Sequence, residues 1–222
     1  MKKITYTPLD YFKSPVWIIN MPDFLPHLNK VSNPYIKKAF TLLKDPIKKR
    51  NKDMKRKLGD FGLPAHSPTM LGDPQVKEFA HFCGQQSYSF LEWSGFDLST
   101  QDLHFTELWV QEFSKKGGGH HSNHTHYNQH VSGFYFLKCS PRTSYPIFND
   151  PRPGAVMTKL PEKDDKQLTR ANDSVHHRPT PGTMIIFPGY LSHEFAVDLG
   201  IDPFRFIHWN MQCRPKEPNG RE

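Results

Sequence analysis

The stretch HHSNHTHYNQHVSGFYFL, residues 120–137, places five histidines within eleven positions and then turns apolar. Neither packing nor solubility calls for imidazole at that density, so the cluster is either a metal-binding element or a histidine-rich polar loop. In a strand, residues i and i+2 face one side. His124 and His126 of the HTH triplet can therefore offer two imidazoles to one ion as the strand begins. A third candidate is His193 in PGTMIIFPGYLSHEFAV, where a Pro-Gly turn and an apolar strand bring a distant histidine to the end of a neighbouring strand. Imidazole suits iron, zinc, copper and nickel about equally, so ligand type does not name the metal. His120, His121 and His130 are read as the polar rim of such a site, with His121 and His130 lining its entrance or supporting the ligands.

Arg205 follows His193 by twelve positions, in the strongly apolar surroundings DPFRFIHWN. A buried arginine without an anion is costly, and its planar fork matches a carboxylate bidentately. Asp202 is one possible partner. The other is a dicarboxylate cosubstrate, chelating the metal at one end and held by Arg205 at the other.

These residues need elements to position them. SPVWIIN reads as an early strand. NPYIKKAFTLL reads as a helix with Asn33 as cap and Pro34 in its first turn, and Ile36, Phe40 and Leu43 recur at helical spacing. The same grammar returns in GDPQVKEFAHFCGQQSYSFLE, where Asp73 caps, Pro74 follows, and Val76, Phe79, Ala80 and Cys83 share a face. From about residue 101 the texture changes to short aromatic and β-branched segments: ELWVQEF, VSGFYFLKC, TMIIFP, EFAVDL and FRFIHWNM. Residues 160–179 form a polar loop between two of them. The organisation expected is a helical and strand layer over 1–100 packed on a core over 101–213, in one domain, with a tail over 214–222. A helical layer followed by consecutive strands points to an antiparallel sheet, sandwich or small barrel.

The chain has 222 residues, 36% of them hydrophobic and 13% aromatic, which is enough for a real core. Its three cysteines, Cys83, Cys139 and Cys213, are far apart, so neither a disulfide framework nor a thiolate zinc site is indicated. With no apolar run of signal-peptide or membrane-spanning length, the expectation is a soluble protein of a reducing cytoplasm. The formal charge of +7 is concentrated in KDPIKKRNKDMKRK, residues 44–57, with eight basic and two acidic residues. Such a run could meet nucleic acid or an acidic partner, but no aromatic residues interleave to stack bases, and a solvated helix face or a mobile connection explains it.

The order ELWVQEF, HTHYNQHVSGFYFLKCS, PIFNDPR, PGTMIIFPGYLSHEFAV, RFIHWN over residues 105–213 resembles the Fe(II)- and 2-oxoglutarate-dependent oxygenases, and more narrowly those of marine bacteriophages and bacteria. The resemblance implies a mainly β protein with peripheral helices (α+β), its core a double-stranded β-helix of the cupin-like jelly-roll type. It also implies Fe(II), 2-oxoglutarate and O2 as cofactor and cosubstrates, and a dioxygenase, most simply a hydroxylase, for an unidentified primary substrate. A phage-encoded enzyme acting in a host cytoplasm would fit it. Carried over, His124, His126 and His193 hold the metal, Arg205 binds the outer carboxylate of 2-oxoglutarate, and Gln111 and Tyr135 are further cosubstrate contacts. Two positions depart from the pattern. His126 stands where the wider superfamily has a carboxylate, so Asp150 of FNDPR is an alternative third ligand; Phe136 stands where related enzymes often carry Tyr. Two other functions compete: a cupin-like metal enzyme that does not use 2-oxoglutarate, and an inactive barrel that binds a partner through residues 44–57.

Overall fold

The computed structural model describes residues 12–216. Among the described residues ten strands form two antiparallel sheets: β1 (Trp17–Asn20), β2 (Pro64–His66), β3 (Gln101–Phe113), β4 (His121–His124), β5 (Val131–Lys138), β6 (Pro146–Asn149), β7 (Ser174–His176), β8 (Thr183–Pro188), β9 (His193–Phe195) and β10 (Arg205–Pro215). The larger sheet runs β1-β8-β5-β10-β3-β2 and the smaller β4-β9-β6-β7. From β3 to β10 the strands alternate between the sheets, except that β6 and β7 pair with each other in the smaller one. This is the order of a double-stranded β-helix, so the expected fold is the observed one. β1 and β2, from the first hundred residues, extend the larger sheet at its two edges. Arg214 and Pro215 close β10, and residues 217–222 of the expected tail lie outside the described residues.

Helices α1 (Leu25–Leu42) and α3 (Lys77–Trp93) cover the outer face of the larger sheet, while α2 (Lys44–Asp53) buries none of its residues. The basic run is thus a solvated helix over residues 44–53, followed by exposed residues 54–57. Asp73 caps the turn of Pro74–Val76 by accepting from Gln75 N at 2.9 Å, and α3 follows with Phe79 and Cys83 buried, as the sequence implies. For α1 the expectation fails. The helix begins at Leu25 with Pro26 in its first turn, and Pro34 lies inside it. An internal proline forfeits a backbone hydrogen bond, about 3 kcal/mol. Burial of Leu28, Val31 and Ile36 on one face offsets it, at roughly 1.5–3 kcal/mol for each large side chain.

Two apolar cores result. One lies between the helices and the outer face of the larger sheet, with Phe79, Phe90, Ile207 and Trp209 at its centre. The other fills the space between the sheets and is built largely of phenylalanine: Phe113, Phe134, Phe136, Phe148, Phe187, Phe195, Phe204 and Phe206. Gly133 is required between them, because a Cβ there would collide with the Trp209 indole. No helix among the described residues is long and apolar enough to cross a membrane.

Candidate metal centre

His124 ends β4 and His193 starts β9, and the two are partners in strand register. His126 lies two residues beyond β4, where the chain turns back through Tyr127 and Asn128 before β5. The HTH pair therefore ends one strand rather than beginning the next, and it is the turn, not strand alternation, that aims His126 inward. The turn is pinned by the His126 amide donating to Gly189 O at 2.9 Å. A side chain at Gly189 would strike the Gln129 carbonyl, so FPGYLSH packs against the loop that carries His126.

One ligating nitrogen from each of the three imidazoles lies within 4.8 Å of the others. His126 Nε2 is 3.2 Å from His193 Nε2, and the His124 and His193 rings are 4.4 Å apart by centroid. Nδ1 of His124 is 2.7 Å from Ser122 O, and Nδ1 of His193 is 2.9 Å from Leu191 O. A carbonyl only accepts, so both Nδ1 atoms carry the proton and both Nε2 atoms present a lone pair. Burial holds His193 neutral, its pKa lowered to about 3, and that of His126 to about 4. Neutral imidazole is the form that binds a metal.

His126 is fixed differently. Its Nδ1 is 2.9 Å from Asn210 Nδ2, and the same amide nitrogen donates to Glu107 Oε2 at 3.0 Å while Asn210 Oδ1 accepts from Ser132 Oγ at 2.6 Å. The Ser132 hydroxyl could donate or accept, but the Glu107 carboxylate only accepts, so Glu107 sets the orientation of the amide. His208 stacks on His126 at 4.9 Å, donates Nδ1–H to Gly133 O at 3.0 Å, and leaves its buried Nε2 without a hydrogen-bond partner, Glu107 Oε2 standing 4.0 Å away. Gln111 lies in the barrel with Nε2 at 2.7 Å from His121 Nε2, and its Oε1 is likewise buried and unpartnered. Asn210, His208 and Glu107 were not singled out from sequence; the signal available was the alternation of β10, which puts His208 and Asn210 on one face with Phe206.

Of the rim histidines, His121 packs on Phe113 and Phe195, while His120 is exposed against Gly118 O and His130 is exposed and holds the amide of Cys213. Asp150 is bound bidentately by Arg152 at 2.9 and 2.6 Å and does not join the cluster, so the alternative third ligand is not supplied by that side chain. Tyr135 also falls elsewhere. It points out of the barrel, donates its hydroxyl to Met21 O at 2.7 Å and packs on Phe79, because alternation along β5 turns only its neighbours Phe134 and Phe136 inward.

The largest correction concerns Arg205. Its side chain lies on the helix-covered face, 5% exposed, with Nε and Nη2 at 2.7 and 2.6 Å from Glu112 Oε2 and Nη1 at 3.0 and 2.8 Å from Ser32 Oγ and Asn33 Oδ1 of α1. Asp202, the partner considered from sequence, pairs with Arg142 instead. Arg205 is the one Lys or Arg buried among the described residues, so the guanidinium clamp expected for a cosubstrate carboxylate is not built inside the barrel. The donor set fits a metal ion; it does not fit 2-oxoglutarate held in the expected way.

Residues 107–199 match the family model described as Putative 2OG-Fe(II) oxygenase. The resemblance carried by the motifs is thereby supported over its central stretch. That family uses Fe(II), 2-oxoglutarate and O2, and a histidine triad is compatible with the metal. No curated protein matches the chain. Among solved structures, an oxidoreductase of the 2OG-Fe(II) oxygenase family from Burkholderia pseudomallei is 10% identical with TM-score 0.45, covering 65% of this chain and 61% of its own. AviO1 from Streptomyces viridochromogenes Tue57 is 13% identical with TM-score 0.49, covering 85% and 88%. The viral collagen prolyl hydroxylase of Paramecium Bursaria Chlorella virus-1, in a truncated form, is 10% identical with TM-score 0.48, covering 95% and 96%. The chain thus spans about three fifths of the Burkholderia protein. Likeness at this level carries no argument about activity.

Proposed function

We propose that the chain is an Fe(II)-dependent oxygenase of the 2-oxoglutarate-using class, with His124, His126 and His193 as the metal ligands and hydroxylation of a primary substrate as its simplest reaction. One observation carries this reading: three imidazoles converge within 4.8 Å, inside the segment that matches the family. Iron bound there would supply the oxidising chemistry. The chain's own residues hold two Nε2 lone pairs in place through backbone carbonyls, and orient the third ring through Asn210. Three neutral ligands leave the full charge of a divalent ion uncompensated, where two histidines and a carboxylate would cancel part of it. Phe134 and Phe187 cover His193 on its apolar side and keep water from that side of the ring. Gln111, with an unpartnered amide oxygen in the same interior, is the contact proposed for any ligand entering beside the metal.

The Arg205–Glu112 pair favours a second reading: a three-histidine metal enzyme on the same barrel that does not use 2-oxoglutarate. Anaerobic titration of Fe(II)-loaded protein with 2-oxoglutarate separates the two. A saturating visible charge-transfer band from metal to ligand supports the first. Iron bound by the wild type and lost in His193→Ala, with no band at any 2-oxoglutarate concentration, sinks it and promotes the second. Equal Fe(II) affinity in the wild type and His193→Ala would overturn both.

A further inference from the structure

A cleft of about 500 Å³ opens at the edge of the larger sheet, where the chain leaves β2 and runs beside β3. Its walls include Leu42 at the end of α1, the ring of His66, Thr106, Glu107 and Trp109. The cleft is connected to the metal centre through intervening side chains. Glu107 reaches His126 through one amide, since Asn210 Nδ2 lies 3.0 Å from Glu107 Oε2 and 2.9 Å from His126 Nδ1. Rings make the same connection: His66 lies 4.0 Å from Trp109, Trp109 lies 4.6 Å from His208, and His208 lies 4.9 Å from His126.

The charge of the cleft is opposite to that of the chain. The protein carries +7 overall, yet the lining holds one carboxylate and no Lys or Arg. Half the Glu107 side chain is exposed, and no Lys or Arg pairs with it among the described residues. Its Oε2 takes hydrogen bonds from two neutral donors, the Trp109 indole at 3.3 Å and the Asn210 amide at 3.0 Å. Those bonds fix the carboxylate and leave its charge unneutralised. The carboxylate sits at the edge of the indole that donates to it, with the His66 ring packed on that indole, so a fixed anion is flanked by aromatic walls. A charge-assisted hydrogen bond to such a carboxylate suits an organic cation. His66 adds no competing charge, because desolvation lowers its pKa.

We infer that this cleft receives a cationic group of the primary substrate, an alkylammonium or guanidinium, with Glu107 as counter-ion and the Trp109 and His66 rings as walls. The inference rests on the oxygenase reading only in calling that ligand the substrate; the binding site stands on the cleft itself.

The test uses the full chain, metal-free and Zn(II)-loaded, with n-butylammonium chloride as probe and butyrate and butanol as size-matched controls. The readout is the Trp109 indole N–H resonance, assigned by its loss in Trp109→Phe. Butylammonium is expected to move it saturably, butyrate and butanol to leave it in place, and Glu107→Gln to weaken the binding at least tenfold while Glu107→Asp recovers part. An equal response to butanol, an unchanged affinity in Glu107→Gln, or no shift at all would overturn the inference. Should Glu107→Gln not fold, the salt dependence of butylammonium binding to the wild type replaces it, and an affinity insensitive to salt overturns the inference. Zn(II) binding is followed separately. Its absence alongside retained butylammonium binding sinks the metal-centre reading and leaves this one standing.

Discussion

Alternate residues of β10 face two different environments. Arg205, Ile207, Trp209 and Met211 look outward to the helices, while Phe206, His208 and Asn210 look into the barrel. On the outer face the polar atoms are paired for structure: Arg205 with Glu112 and α1, and the Trp209 indole with Ser87 Oγ of α3 at 3.2 Å. On the inner face His208 Nε2 has no hydrogen-bond partner, and Asn210 touches a candidate metal ligand. A buried polar residue on this strand therefore means helix attachment on one side and contact with the candidate metal centre on the other. Arg205→Ala is the largest way to test that division. It leaves Glu112 buried and unpaired, so the variant should lose about 3–5 kcal/mol of stability, seen as a lower urea midpoint, with Co(II) affinity little changed. The paired replacement of Arg205 by Met and Glu112 by Leu should restore most of the loss. A variant as stable as the wild type but weakened in binding 2-oxoglutarate would return Arg205 to the barrel and erase the contrast.

Asn210→Ala probes the inner face, with a smaller effect on a different observable. As found, Asn210 Nδ2 faces His126 Nδ1, so the ring proton sits on Nε2 and is donated to His193 Nε2. Ligation through His126 Nε2 moves that proton to Nδ1. The amide accommodates it by turning its oxygen to the ring, which the Ser132 hydroxyl tolerates because it can donate or accept. That turn requires the half-exposed Glu107 carboxylate to give up its bond from Nδ2 and swing towards solvent. Removing the amide leaves Nδ1 without its partner and should weaken Co(II) binding about 10- to 100-fold, measured by competition with a chromophoric chelator. Asn210→Asp, whose carboxylate accepts from Nδ1–H, should recover much of it. Unchanged affinity in Asn210→Ala would mean that the stacked His208 ring positions His126 by itself.

The same strand explains what could and could not be read from sequence. The candidate ligands were legible from residue type and order, because HTH and the histidine that closes FPGYLSH are together more than a polar loop asks for, and the structure brings the three imidazoles together. The alternation in RFIHWN also separates Arg205 from His208. What it does not reveal is which set faces in, since the sheet is covered on both sides and both sets are apolar around their polar members. The partner that decides, Glu112, is 93 residues away in sequence. α1 failed for a different reason. Asn33-Pro34 is a true helix-start signal, but Pro26 is another, and the burial that selects the earlier one depends on a sheet formed later in the chain. Asn33 instead turns its side chain to Arg205.

Tyr135→Phe sharpens the comparison on the neighbouring strand, with the smallest effect of the three. Phe134 and Phe136 line the barrel, and Tyr135 between them belongs to the helix side. Its hydroxyl serves Met21 O, just beyond β1, and burial raises its pKa above the usual phenol value. Loss of that one hydrogen bond should cost about 0.5–1.5 kcal/mol, visible in urea unfolding, and leave metal affinity and the Trp109 indole resonance as they are. A change in either of those, without loss of stability, would mean that the outer face of β5 communicates with the site. The division between structural and chemical faces would then hold for β10 alone.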